Sequence, residues 1–280
     1  MRIHLLEPFF GGSHREWALG YQRHSRHEVE LHTLPGSYWK WRMWGGAVAL
    51  ARKYREVLAL PDLWLATDML DLATFLGLLH DVPGAAAVPV VAWFHENQLT
   101  YPWSPTDADV GAGRDMQYAF INFTTALAAG RIVFNSAFHR DSFLHALPRM
   151  LRRFPDRRQR DLVPALWDKA HVLPVGLELK ALDAWSDTPR SEGPPIVLWN
   201  HRWEFDKGPE PFFRALMVLA GEGVPFRLVV LGESFARSPA IFAEAGERLA
   251  DRILHWGFVP DKAEYYRWLW RADILPVTSI

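Results

Sequence analysis

Residues 196–220 read IVLWNHRWEFDKGPEPFFRALMVLA: an apolar run, Ile196–Trp199, a polar loop containing Gly208, and an amphipathic run from Pro211 to Ala220. An apolar run that passes through a polar loop into helical periodicity is one βα unit. The same alternation recurs along the chain. Apolar runs stand at Ile3–Leu6, Val29–Thr33, Leu63–Ala66, Val88–Phe94, Arg131–Phe134 and Val172–Pro174, and a second series at Ile196–Trp199, Arg227–Leu231, Ile253–Trp256 and Asp273–Pro276. Parallel βαβ units with strands apolar on both sides define the expected class: α/β, with two facing, Rossmann-like, doubly wound domains. Between the two series, Lys180–Pro195 carries SDTPRSEGPP and reads as a loop or linker. The expected organisation is an N-terminal domain over 1–180, a linker over 181–195 and a C-terminal domain over 196–280. The second domain stops after its fourth strand with no helix to cover it, so it reads as incomplete, and the chain as a fragment.

Composition fits this class and excludes others. The 280 residues are 49% hydrophobic and 14% aromatic with 14 Trp, too rich in core formers for disorder. A net charge of -1, from 31 basic and 32 acidic residues, leaves no global field for nucleic acid or membrane, so any polyanion must meet a local patch. The absence of Cys rules out disulfides and thiolate chemistry and gives weak support for a cytoplasmic setting. The N-terminal apolar run is too short for a signal peptide, and no stretch reaches the ~18 apolar residues of a membrane span.

The candidate chemistry sits where strands end. After the first strand comes EPFFGGSH, residues 7–14. Gly11 and Gly12 allow close backbone approach to a ligand, Ser13 can cap the following helix, and His14 lies at the carboxyl edge of the sheet; a tight turn with an ordinary cap would read the same. After Val88–Phe94 come His95, Glu96, Asn97 and Gln98, with Tyr101 a helical turn on. His95 can transfer a proton or bond a sugar hydroxyl and Glu96 can orient it, or the pair can simply satisfy a loop. In the opening stretch, Arg202 and Lys207 can bracket a diphosphate, or pair with Glu204 and Asp206 in a solvated loop. Gly232-Glu233 and Gly257-Phe258-Val259 end the next two strands, and together the three strand ends describe a nucleotide pocket. No Walker A, GxGxxG or HExxH pattern occurs, and no His, Asp and Glu cluster has ligand spacing, so no metal is expected. Asp107 and Asp109 read as loop.

Two basic stretches stand apart. Trp39, Lys40, Trp41 and Arg42 interleave rings with cations, a composition that can stack bases and pair phosphates, or pack with its charges outward. Arg149–Arg160 holds six arginines in twelve residues, among them Arg152, Arg153, Arg157 and Arg158. It offers a local anion-binding surface or a solvated face.

Taken together, HRWEFDKG, HVLPVGLEL, LGESF and HWGFVPDKAEYYRWLWRADILPVTS resemble the second half of family 4 glycosyltransferases of the GT-B fold. More narrowly, EPFFGGSH, LPGSYWKWR, FHENQLTYP, FNSAFHRDSF and HRWEFDKGPEPFF resemble the tRNA-queuosine mannosyltransferases across essentially the whole chain. The resemblance implies a nucleotide-sugar donor, GDP-mannose in that family, and retaining transfer to a queuosine hydroxyl in a tRNA anticodon. It also implies no cofactor, an acceptor-side first domain and a donor-binding second domain. Arg202 and Lys207 would hold the diphosphate, Gly11 and Gly12 would approach donor sugar and phosphates, and His95 would contact the transferred sugar. A Glu-bearing loop that relatives carry beyond PVTS is absent from this sequence. Two further readings stay open: a GT-B enzyme acting on a small-molecule or lipid-linked acceptor, and a non-catalytic nucleotide-sugar or RNA-binding module. Oligomeric state is not legible.

Overall fold

Two units, Met1–Leu177 and Glu178–Ile280, divide the chain in a computed structural model that describes residues 1–56, 59–104, 107–190, 192–234 and 238–279. Phe235 of the LGESF turn lies outside the described residues.

The first unit runs β1 (Arg2–Phe10), α1 (Gly12–His24), β2 (Glu28–Pro35), α2 (Trp39–Tyr54), β3 (Leu63–Thr67), α3 (Leu72–Leu78) and β4 (Val90–Phe94). It continues through α4 (Ala108–Gly111), α5 (Asp115–Ala128), β5 (Arg131–Phe134), α6 (Ala137–Leu151), α7 (Val163–Asp168) and β6 (Ala170–Val172). All six strands are parallel, in the order β2-β1-β3-β4-β5-β6. The winding direction reverses between β1 and β3, which fixes the place where a doubly wound sheet opens a crevice beyond its strand ends. Both faces are apolar: Leu6, Trp64, Ala92, Phe94 and Phe134 pack under α2, α3, α5 and α6, while Ile3, Leu5, Leu65 and Trp93 pack against Trp17 of α1. Phe94 and Phe134 are wholly buried with centroids 5.1 Å apart, and truncating either to Ala should cost about 3–5 kcal/mol.

The second unit runs α8 (Lys180–Asp183), β7 (Ile196–Asn200), α9 (Pro209–Gly221), β8 (Arg227–Leu231), α10 (Ile241–Arg248), β9 (Ile253–Trp256) and α11 (Lys262–Arg271). Its sheet, β7-β8-β9, is also parallel. Trp199, Phe213 and Phe242 fill one face, and Ile196, Leu198 and Val229 meet Tyr265, Trp268 and Leu269 of α11 on the other. The stretch 181–195, read as a linker, falls inside this unit. Trp270 Nε1–H donates to the Leu182 carbonyl at 2.6 Å, and the Arg267 guanidinium stacks over Trp185 at 4.3 Å.

Two strand expectations are corrected, and proline bears on both. The strand expected at Asp273–Pro276 is a single bridge between Ile274 and Val197. Ile274 N–H donates to Ile196 and its carbonyl accepts from Leu198, but the next donor in the ladder would be Pro276, which has no N–H. The strand expected at Val172–Pro174 sits earlier, at Ala170–Val172; Leu173 N–H still reaches the Phe134 carbonyl, and Pro174 cannot extend the pairing. Among the described residues no helix is long and apolar enough to cross a membrane.

Candidate active site

At the carboxyl end of β1, on the switch-point side, Glu7 is fully buried. One carboxylate oxygen accepts from Phe9 N–H at 2.7 Å and the other lies 2.9 Å from Nδ1 of His14, itself buried in the first turn of α1. Burial alone would lower the imidazole pKa, but Glu7, with Asp68 and Glu96 beyond it, raises it to about 9. His14 is therefore a buried cation at neutral pH.

The turn that places it differs from expectation. Gly11, extended at φ -152°, is the N-cap, and Ser13 lies within the first turn and is exposed; among the described residues no side chain caps α1. A Cβ on Gly11 would lie 3.0 Å from the Gly36 Cα, so this glycine is required by a neighbouring turn. Gly12 adopts φ +50° with open space around its Cα. The result is a helix N-terminus with no side-chain acceptor, a ready site for an anion.

Asp68, directly after β3, and His95, directly after β4, complete the group. Asp68 Oδ1 accepts from His95 N–H at 2.8 Å, while Oδ2 is buried without a partner among the described residues. Burial raises the Asp68 carboxyl to about 8, against the pull of His14. The His95 ring packs edge-on against Trp17 at 4.3 Å and His14 at 5.0 Å. Burial, with the His14 cation and His139 nearby, lowers His95 to about 3. His95 is only half-buried as a whole residue, yet its Nε2 is sealed from solvent and lacks a hydrogen-bond partner among the described residues; the state of that atom decides its chemistry. It is a neutral imidazole, unable to act as a stored proton near pH 7. The His95 carbonyl accepts from Asn135 Nδ2, whose own carbonyl oxygen accepts from Trp93 Nε1–H.

The rest of the post-β4 cluster divides in two. Asn97 and Gln98 are buried. The Asn97 side chain accepts from the N–H groups of Leu99 and Thr100, its carbonyl accepts from Tyr101 N–H, and Gln98 N–H donates to Asn122. These two hold the loop's shape. Glu96, half-buried, accepts from Gln98 Nε2 at 3.0 Å.

In the second unit Arg202 is exposed and 3.0 Å from Glu204, while Lys207 is bound to the buried carboxylate of Asp206. Both ion pairs of the solvated-loop alternative are thus present. Gly232 (φ +112°) lets the end of β8 lie against the Arg202 loop: a Cβ there would be 1.9 Å from the His201 carbonyl oxygen. Glu233 is exposed and its carbonyl accepts from Trp203 N–H. After β9, Gly257 has φ +123°, Phe258 is exposed and Val259 is buried.

The two basic stretches prove to be neighbours. Trp44 of α2 and Phe154, beyond α6, line one cavity of about 490 Å³ with Met116 and Phe120 of α5. Trp41 and Trp44 point outward, as do Arg152, Arg157 and Arg158. Arg153 contacts Met116 and lies 3.8 Å from Asp115. Trp39 and Lys40 turn inward: Trp39 packs on Trp103 and Tyr118, and Lys40 Nζ lies 2.6 Å from both Asp107 and Asp109. Arg42 donates to the Pro35 carbonyl.

Sequence reasoning passed over Glu7, Asp68 and Trp17. The signal for the first two was a carboxylate at the end of an otherwise apolar strand. It also passed over His4, Glu30 and His32, whose side chains converge on β1 and β2. Their spacing is invisible in sequence because parallel register brings them together.

Comparison with known proteins follows the same lines. The profile described as "tRNA-queuosine alpha-mannosyltransferase N-terminal" matches residues 2–177. The tRNA-queuosine alpha-mannosyltransferase of Drosophila melanogaster is 30% identical over 285 residues, covering 99% of this chain and 73% of that one. Among solved structures, a trehalose-6-phosphate synthase superposes with a TM-score of 0.63 at 11% identity, covering 99% of this chain and 78% of its own. The catalytic domain of starch synthase IV from Arabidopsis thaliana, bound to ADP and acarbose, gives 0.62 at 11%, covering 100% and 78%. These likenesses are of fold, and the fold is GT-B.

Proposed function

The chain belongs to the tRNA-queuosine alpha-mannosyltransferase family, and from that premise we propose that it moves mannose from GDP-mannose to a queuosine hydroxyl in a tRNA anticodon, with retention at the sugar. The observation that carries the reading is the buried group His14, Asp68 and His95 beside the uncapped N-terminus of α1, all at the switch-point edge of the first sheet.

In such a transfer the bond from the sugar's anomeric carbon to the diphosphate breaks, leaving negative charge on the diphosphate and positive character on the sugar. The N–H groups at Gly12 and Ser13 suit the anion. In the second unit Arg202 and Lys207 would exchange Glu204 and Asp206 for phosphate oxygens. Arg202 would give up little, because its guanidinium is exposed. Neutral His95 would bond a hydroxyl of the transferring sugar, and the His14 cation, held by Glu7, would keep it neutral. The strand ends at Gly232, Glu233, Gly257, Phe258 and Val259 would form the nucleotide pocket, with exposed Phe258 beside the base. These cations make the transfer itself independent of a divalent metal. Trp41, Trp44 and the exposed Arg152, Arg157 and Arg158 would be the surface for the tRNA, whose modification would place the work in the cytoplasm.

A donor screen with the whole protein, with and without queuosine-containing tRNA, tests this. GDP-mannose should be consumed stoichiometrically with mannosylated tRNA. Donor consumption onto a small-molecule or lipid-linked acceptor alone, or nucleotide binding without turnover, would replace the proposal with one of the two other readings.

A further inference from the structure

On the other face of the first sheet, His4 of β1 is paired in register with Glu30 of β2, and Leu6 with His32, so Glu30 and His32 share one face of β2. His4 Nε2 lies 3.3 Å from one Glu30 carboxylate oxygen and His32 Nε2 lies 3.2 Å from the other. The ligand-capable atoms of all three lie within 4.8 Å of one another. His4 and His32 are buried, and Glu30 opens the group to solvent. From this convergence we propose that His4, Glu30 and His32 form a binding site for a divalent cation of the zinc class.

Direction, more than distance, supports the site. Although both imidazole Nε2 atoms are at hydrogen-bond distance from Glu30, neither makes a hydrogen bond to any described residue. Both are buried, where an unpartnered polar atom is costly. Side chains that crowd together without pointing at each other are arranged as ligands are, each addressing a shared point. A tetrahedral zinc with bonds of roughly 2.0–2.1 Å separates its ligand atoms by roughly 3.3 Å, which is the separation of each Nε2 from its nearer Glu30 oxygen. Two imidazoles and one carboxylate leave a fourth position for water on the solvent side, by Glu30.

The surroundings suit the ligand form. The Tyr54 hydroxyl accepts from Trp64 Nε1–H at 3.1 Å and lies 2.8 Å from His4 Nδ1. Accepting the Nδ1 proton as well would leave Nε2 with its lone pair free to bind a cation, as outer partners of metal-bound histidines do. Burial, with Arg2, lowers His4 despite Glu30 and Glu28; burial, with His4 and Lys53, lowers His32 to about 4, so both rings are neutral at pH 7. His4 and Glu7 are three residues apart on β1 and point to opposite faces, so a cation here would tie β1 to β2 without entering the candidate active site.

The test uses the whole chain, free of any histidine tag and stripped with EDTA. Titration with zinc chloride against a chromophoric chelator should show one site per chain, and cobalt should give the intense visible bands of a tetrahedral ion. His32→Ala and Glu30→Gln should each weaken zinc by more than the ~10–100-fold expected of an outer partner, while Tyr54→Phe should fall within that range. Zinc should raise Tm in the parent and leave it unmoved in His32→Ala. No retained zinc in the parent, or equal retention in both ligand variants, overturns the site. Because GDP binding by the stripped protein is measured separately, failure here leaves the glycosyltransferase reading intact.

Discussion

The first unit's strand-end group and the second unit's Arg202–Lys207 loop both gather charge at the carboxyl edge of a parallel sheet, in opposite manners. In the first, Glu7, His14 and Asp68 are buried, and the ionisation of His14 and Asp68 is set by that burial and by the charges around them. In the second, the Arg202 guanidinium lies in solvent and is held by a carboxylate two residues away. A buried group is arranged before any ligand arrives, whereas an exposed loop is arranged by the ligand. Loss of a partner should therefore damage the fold in the first region and mainly binding in the second.

The sharpest break of that contrast is at Glu7. Removing one member of a buried ion pair costs about 3–5 kcal/mol, so Glu7→Ala should lose that much in urea unfolding. Glu7→Gln keeps the shape and an acceptor for Phe9 N–H and should retain the fold. It should also alter the alkaline side of the stability profile. His14, raised from 6.5 to about 9, contributes stability that is full below pH 6.5 and lost as pH rises through 9. Asp68, raised from 3.8 to about 8, is neutral in the fold and ionised when unfolded, so it too removes stability as pH rises. Without Glu7, burial should bring the His14 titration down and shift its contribution to lower pH. An unchanged profile in Glu7→Gln would mean that the pair does not set the charge of His14.

Next in size is His95. His95→Ala should lower turnover about 10²–10³-fold with nucleotide affinity nearly intact, the loss expected of one transition-state hydrogen-bond partner. Since burial holds the ring neutral, His95→Asn or His95→Gln should keep part of the activity, and the pH–rate profile should show no limb from this residue between pH 5 and 8. Parent-like turnover in His95→Ala, or a limb that disappears with the residue, contradicts the role.

The second unit follows. Arg202→Ala and Lys207→Ala should each weaken GDP by about 1.5–3 kcal/mol and guanosine by much less. The two should differ in stability: Arg202→Ala leaves a half-buried glutamate that water still reaches, while Lys207→Ala removes the ammonium from buried Asp206 and should also lower Tm. Equal losses for nucleoside and nucleotide would remove the diphosphate assignment.

The contrast also explains what could be read in sequence. Arg131–Phe134, Arg227–Leu231 and Ile253–Trp256 are strands with the expected ends, because a strand apolar on both faces carries its signal locally. Arg202, Lys207, His14 and His95 stand out for the same reason, as polar residues just past such runs. What sequence hides is pairing across the fold. Glu7 gains meaning only beside His14, Asp68 beside His95, and His4 beside Glu30, each brought near by a turn or a register. Asn97 and Gln98 looked like site residues because a loop-holding amide and a ligand-holding amide are the same letter. Ser13 is not the cap because α1 begins one residue before it, with Gly11 at the N-cap.

The smallest expected effects lie on the basic surface, where the contrast recurs within a single patch. Arg152, Arg157 and Arg158 are exposed, whereas the Lys40 ammonium is shared by Asp107 and Asp109 at 2.6 Å. An exposed guanidinium that meets a phosphate releases about one counterion, so each Arg→Ala change should flatten the slope of log affinity against log salt by roughly 0.7–0.9. At physiological salt that is a fewfold loss of tRNA affinity per residue. Lys40 already has two carboxylate partners and would have to leave both to reach a phosphate. Lys40→Ala should therefore leave the salt slope unchanged and lower Tm instead, because Asp107 would lose the ammonium it shares with Asp109, which would keep Arg114 as its ion-pair partner. Should Lys40→Ala flatten the slope as the arginines do, the aspartates release it on binding, and Lys40 belongs with the ligand-arranged residues. Should none of the four move the slope, the tRNA does not bind at this surface.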